Sequence, residues 1–198
     1  DSQLKDSLQK AENLAEEYSG RFTQQLAALI EQLQPGLETA RDELAAPMLA
    51  SPEADVAEAI AHLESCKVKV DALVDKVAQY QRFQEVLKVH LFDTEEIDEV
   101  TRDLGHKLRL WRAMSAWQGQ MEVWMESPYD ALAPAKLERE VGGYWAALQA
   151  CMEGLPGNQA ALKFRGLVEE FQLTIPVMAD LQCAALHERH WAAIHTAL

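Results

Sequence analysis

Apolar residues recur along this chain at spacings of three and four, almost without interruption. Leu4, Leu8, Ala11, Leu14, Tyr18, Phe22, Leu26, Leu29 and Leu33 fall on one stripe of a helix that runs toward Pro35-Gly36. Gly20 lies inside the stripe, at a cost of about 1 kcal/mol relative to alanine, too little to break it. A short helix over residues 37–46 is expected next, stopping at Pro47. Ser51-Pro52 reads as a helix start, because a serine side chain accepts from free N–H groups and proline fits the first helical position. From there Ile60, Leu63, Cys66, Val70, Leu73, Val77, Tyr80, Leu87 and Leu91 continue a stripe over about forty residues, which predicts roughly 60 Å of helix.

Asp93 followed by Glu96 has the spacing of a capping box and predicts the start of the next helix. Leu104, Leu108, Trp111, Met114, Trp117 or Gln118, Met121 and Trp124 form its stripe, which ends before Ser127-Pro128. Pro134 opens a helix through Leu137, Val141, Tyr144, Trp145, Leu148 and Cys151 that stops near Gly154. Asn158 caps another, carrying Leu162, Arg165, Val168, Phe171 and Leu173 up to Pro176, and a final helix holds residues 181–198. No segment alternates with period two. The expected fold is all-α: elongated helical bundles of long antiparallel helices, without a sheet.

Composition divides the chain in two. All five tryptophans, Trp111, Trp117, Trp124, Trp145 and Trp191, follow residue 110, while the first half relies on Leu, Ala and Val. Each aromatic buries about 150–250 Å², so the second half is expected to hold the bulkier core. The predicted units are residues 1–92, a long-helix bundle, and 93–198, with the change near 93–101. The aromatic stripe at Trp111, Trp117, Trp124 and Trp145 is read as core packing rather than a ligand cage, since its spacing is helical and methionines fill between the rings.

Charge removes one class of partner. The chain carries a formal net charge of −14, and residues 1–65 hold 13 acidic against 4 basic side chains. Phosphate backbones are bound by clustered Lys and Arg, so nucleic acid is excluded as a partner. No apolar run reaches the 18 or so residues that span a bilayer, and the polar start, DSQLKDSLQK, is not a signal peptide. The chain begins at Asp1 and stops inside an amphipathic pattern, which reads as a piece of something longer. Cys66, Cys151 and Cys183 are odd in number and lack C-x-x-C spacing, the usage of a reducing compartment.

Chemistry is sparse. The nine glycines form neither a P-loop nor a dinucleotide fingerprint, and there is no G-x-S-x-G or H-E-x-x-H. The closest approach to a site is Cys183, His187 and His190, which fall within about 60° on a helix and suggest zinc. Cys183 and His190 are, however, about 10.5 Å apart along the axis, whereas two ligand atoms on one zinc are at most roughly 4.6 Å apart. Leu186, Ile194, Ala197 and Leu198 share that arc, so a buried face is the better reading and no metal, catalytic or cofactor residue is assigned. Glu95, Glu96, Asp98 and Glu99 are read as acids at a helix start, favoured by the dipole, rather than as a cation site.

The run LPGNQAALKFRGLVEEFQLTIPVMADLQCAALHERHW, residues 155–191, resembles the start of the linker region of dynein heavy chains. The resemblance rests on Pro156 before a long helix, Phe171 and then Pro176, a leucine-led turn at Leu181 and Leu186, and Arg189-His190-Trp191. The helices over Leu104–Trp124 and Leu137–Leu148 sit where the family places its preceding linker helices. Axonemal members often have Asn-Pro in the turn before the last helix, where this chain has Gln182-Cys183. The resemblance covers about the last hundred residues, and its turn is more axonemal in style than cytoplasmic.

What it implies is mechanical. Residues 93–198 are expected to be the N-terminal part of the linker, an arm lying across an ATP-hydrolysing AAA ring, and residues 1–92 to be tail-like. The resemblance implies partners among other dynein heavy, intermediate and light chains, the ring of the same chain and, through the complex, the microtubule doublet. It places the parent in the cytoplasm, cytoskeleton and ciliary or flagellar axoneme, as an ATP- and magnesium-dependent motor. This segment itself is expected to hold no cofactor and to catalyse nothing. Trp191 and His190 are expected inside the bundle, and Trp191→Ala is expected to cost about 3–5 kcal/mol. The competing reading is a spectrin-like helical scaffold or tether with no motor, which P-loops further along the parent sequence would exclude.

Overall fold

The computed structural model describes residues 2–90, 92–128, 131–182 and 196. Among them are six α-helices: α1 (Ser2–Glu31), α2 (Gln34–Leu44), α3 (Val56–Leu87), α4 (Glu95–Glu126), α5 (Pro134–Met152) and α6 (Gln159–Leu181). One turn of 3-10 helix, Pro47–Leu49, separates α2 from α3. No strand occurs among the described residues, and the fold is all-α. None of these helices is long and apolar enough to cross a membrane.

The helix boundaries follow local chemistry, with two departures from the sequence pattern. Ser51-Pro52 does not open α3. Ser51 Oγ accepts from Glu53 N at 3.3 Å and Ala54 N donates to Ser51 O at 3.4 Å, which closes a turn. The helix starts at Val56, where Asp55 Oδ1 accepts from Glu58 N at 2.9 Å. α3 has 32 residues, about 48 Å, shorter than the stripe suggests. Its end is a left-handed residue, Lys88 at φ 53°, with Val89 N donating back to Gln84 O at 3.0 Å in the manner of a Schellman turn. The buried Gln84 side chain then accepts from Phe92 N at 3.0 Å.

The second departure is Pro176, which lies inside α6 rather than after it. Proline there removes an N–H and crowds the carbonyl four residues back. The helix nevertheless continues to Leu181; two residues before Pro176, Thr174 Oγ1 donates to Phe171 O at 2.7 Å. Asp93 stands just before α4, its Oδ1 accepting from Glu95 N at 3.2 Å.

The chain forms two compact units that interleave in sequence. One contains residues 1–46 and 63–104, the other residues 47–62 and 105–198. The core of the first is aliphatic: Leu26, Ile30, Leu37, Ala40 and Leu44 from α1 and α2 and Leu33 between them, with Leu63, Cys66, Val70, Val77 and Ile97, are all buried. Gly36 lies close under Leu73: a Cβ there would come 2.9 Å from Leu73 Cδ2, and the end of the leucine side chain would have to shift. The core of the second is built from Leu49, Leu108, Leu110, Trp111, Leu137, Val141, Leu148, Phe164 and Val168. Here α5 and α6 pack on each other across the 153–158 turn.

The long stripe of α1 is only partly buried. Leu26 and Ile30 are inside, but Leu8, Leu14, Tyr18 and Phe22 are each more than half exposed. Periodicity marks a face that is able to bury; a neighbour decides whether it does.

Candidate functional site

A cluster of aromatic side chains lies in the unit formed by 47–62 and 105–198. Trp117 on α4 is at its centre. Its ring meets Trp124 at 5.8 Å, Tyr144 at 5.2 Å, Phe164 at 5.9 Å and Phe171 at 5.5 Å, each edge-on with interplanar angles of 74–89°. Trp124 stacks on Phe171 at 4.8 Å and 17°. Edge-to-face and offset-stacked pairs are the favoured geometries of the ring quadrupole and add about 0.5–1.5 kcal/mol each beyond the area they bury. Helices α4, α5 and α6 are thereby joined through one ring.

Helical spacing explains how the sequence delivers these rings. Trp117 and Trp124 are seven residues apart on α4, as are Phe164 and Phe171 on α6, so each pair occupies one face two turns apart. Tyr144 arrives from α5, its hydroxyl donating to Ala116 O at 3.2 Å. Burial, and then the nearby Glu140, push the Tyr144 phenol above its usual range. Trp111, six residues earlier on α4, is fully buried, while Trp145 is only half-buried.

Two polar ties hold this unit together. Asn158, 8% exposed, accepts from Ala161 N at 3.0 Å and so caps α6. Its Nδ2 donates to Leu49 O at 3.0 Å, and Ala160 N donates to Ala50 O at 3.1 Å. One side chain therefore both starts a helix and fixes the 47–50 turn on it. At the other end of α6, Gln182 is the C-terminal cap residue, and its Nε2 donates to Leu132 O at 2.7 Å. Near the start of α4, His106 lies against Gly154, where an added Cβ would come within 2.3 Å of the imidazole.

Of the motif residues, Pro156 is exposed in the turn before α6, Phe171 is a half-buried member of the aromatic cluster, Pro176 is exposed within α6 and Leu181 ends it. Leu186, Arg189, His190 and Trp191 lie outside the described residues, as do Cys183 and His187.

Groups able to do chemistry are few and separated. Among the described residues no three His, Cys, Asp or Glu side chains are grouped to hold a metal ion. At the start of α4, Arg41 of α2 lies 3.7 Å from Glu96 and 3.9 Å from Glu99, so part of that acidic group faces a cation of the same unit. Cys66 is buried in the aliphatic unit, its Sγ 3.5 Å from Glu43 Oε2, and the same carboxylate pairs with Lys69. Burial, reinforced by the bond to Glu43, pushes the Cys66 thiol up to about 11, and burial raises Cys151 as well. Both thiols are therefore poor nucleophiles. That aliphatic unit also carries an open apolar groove lined by Phe22, Leu26 and Leu29 of α1 and Phe83, Val86 and Leu87 of α3.

Sequence comparison identifies what such a scaffold is similar to. Residues 97–198 match the family described as dynein heavy chain, N-terminal region 2. Human dynein axonemal heavy chain 6 is 33% identical over 122 residues, which cover 62% of this chain and 3% of that protein. Dynein axonemal heavy chain 1 of human and of mouse is 24% identical over 119 residues, 58% of this chain and 3% of theirs. The chain thus spans a small fraction of the length of these relatives.

Proposed function

Because the chain belongs to the dynein heavy chain family, through its N-terminal region 2, we propose that it is a mechanical segment that carries force between a motor's ATPase ring and its load. The matched region is the N-terminal region of a heavy chain and not its ATPase domain. The observation that carries the reading is a coincidence of extent. The matched residues, 97–198, take in the helices knitted together by Trp117, Trp124, Tyr144, Phe164 and Phe171. Force passes through an element without loss only if the element resists deformation, and interiors packed to crystal-like density have low compressibility.

On this reading residues 93–198 are the N-terminal part of the linker, and residues 1–92 belong to the tail side. The axonemal relatives favour a ciliary or flagellar cytoskeletal setting and assembly with other dynein chains. ATP and magnesium act in the ring of the parent chain, and this segment binds neither. The scaffold alternative has no observation in its favour beyond the generic helices of residues 1–92.

The test uses the full-length parent heavy chain in its native complex, with Trp117→Ala and Phe171→Ala combined. Microtubule-stimulated ATPase is expected to persist while gliding speed falls severalfold. An equal fall in both would show that the segment supports the ring rather than transmitting force. Absence of microtubule gliding by the unmodified complex would favour the scaffold.

A further inference from the structure

Two Ser-Pro pairs occur in the chain, and the structure treats them differently. At Ser51-Pro52 the backbone is closed into a turn by Ala54 N on Ser51 O. Lys163 Nζ clamps that turn from α6, donating to Pro52 O and to Glu53 Oε1, both at 3.0 Å. At Ser127-Pro128, Ala131 N donates to Pro128 O at 2.9 Å, but among the described residues no lysine holds the pair as Lys163 holds Pro52. Pro128 disfavours the α conformation at the residue before it, so α4 stops at Glu126 and Ser127 is left half-buried between exposed Glu126 and Pro128. Its Oγ donates to Val123 O at 2.6 Å, and its N–H reaches the same carbonyl at 3.1 Å. These bonds satisfy a carbonyl of the last helical turn, which has no full set of intrahelical donors.

We propose that Ser127 is a phosphorylation site for a proline-directed protein kinase, and that the phosphate unwinds the last turn of α4. In the transfer Ser127 Oγ bonds to the γ-phosphorus of Mg–ATP, the bond to the bridging β–γ oxygen breaks, and ADP leaves. The hydroxyl proton passes to a carboxylate of the kinase. The product carries about −1.5 to −2 charges at pH 7 and has lost the hydroxyl hydrogen that Val123 O accepted, leaving that carbonyl the Ser127 N–H. That charge sits at the negative end of the α4 dipole, next to Glu126, where an anion is unfavourable. Trp124 is three residues upstream, stacked on Phe171 and edge-on to Trp117. A surface modification thus acts on the aromatic cluster without touching it. The effect does not depend on the chain's place in a motor.

The experiment treats the 198-residue chain with a purified proline-directed kinase and Mg–ATP, and maps phosphate by peptide mass spectrometry. Ser127 is expected to be modified, and Ser51 at least about tenfold more slowly, because its turn must first open. Pro128→Ala is expected to abolish the modification. Amide exchange over residues 121–127 is expected to quicken about tenfold on phosphorylation, with Ser127→Asp giving a smaller effect of the same sign. An unmodified Ser127, equal modification of Ser51, or exchange changed by less than about twofold on full phosphorylation would each overturn the proposal.

Discussion

Asn158 offers the sharpest test of the packing, because one side chain makes two bonds of different kinds. Asn158→Ala removes the cap bond from Ala161 N, a loss of about 0.5–2 kcal/mol. It also leaves Leu49 O without its donor in a buried position, a further cost of about 1–3 kcal/mol. The expected total is about 1.5–5 kcal/mol, which for a chain of this size lowers the melting temperature by roughly 3–20 °C. Tryptophan fluorescence is the appropriate probe, since Trp111, Trp117, Trp124 and Trp145 lie in the unit that contains Asn158. Asn158→Asp separates the two bonds. Aspartate caps as well as asparagine and suits the helix dipole, but it cannot donate to Leu49 O and sets a carboxylate against that carbonyl. The variant is therefore expected to be destabilised by at least about 1 kcal/mol despite its good cap. Wild-type stability in Asn158→Asp, or a change below about 0.5 kcal/mol in Asn158→Ala, would refute the claim that this side chain holds the 47–50 turn on α6.

Other consequences are equally concrete. Trp117→Ala is expected to cost about 3–5 kcal/mol in denaturant titration, because four rings lose their common partner. Gly154→Ala is expected to cost about 1–3 kcal/mol by overpacking, and a double mutant with His106→Ala to recover most of it, measured as a coupling energy. Lys88→Gly relieves a left-handed backbone and is expected to raise stability by up to about 1 kcal/mol, read from the shift of the unfolding midpoint. The Cys66 thiol, at about 11 when folded against 9.0 in its ordinary state, contributes stability that is complete below pH 9. That contribution is lost as pH rises through 11, because the unfolded chain gives up its proton first; a Cys66→Ser variant should lack this alkaline decline. Iodoacetamide at pH 8 should label native Cys66 far more slowly than the unfolded chain.

Much of the helix pattern was legible because it depends on neighbours in sequence. Pro134 at the start of α5 and Asn158 at the cap of α6 act within one turn of themselves, and the structure places both where the spacing predicts. Ser51-Pro52 misleads for a related reason: the same two residues close a turn as readily as they open a helix, and Lys163, more than a hundred residues away, supports the turn. Pro176 misleads in the opposite sense: α6 runs through it to Leu181, with Phe171 in the aromatic cluster and Ile175 buried in the turn before it. The α1 stripe shows the limit of periodicity, which identifies an apolar face but not its partner. The aromatic cluster was half legible. Seven-residue spacing put Trp117 and Trp124 on one face, but nothing in the sequence joined Phe164, Phe171 and Tyr144 to them. The Leu49–Asn158 bond spans 109 positions and left no local trace.

The interleaving of the two units has a consequence for synthesis. Residues 47–62 belong with residues 105–198, so this segment leaves the ribosome long before the helices it packs against exist. At about 5–20 residues per second, Leu49 waits on the order of 5–20 s for Asn158 to be made. During that interval the buried face of Leu49, Val56 and Ala59 has no permanent neighbour, and residues 63–104 complete the other unit while it waits. A chaperone that binds short apolar segments has its clearest opportunity there, and a pause in translation shortly before residue 158 would lengthen it.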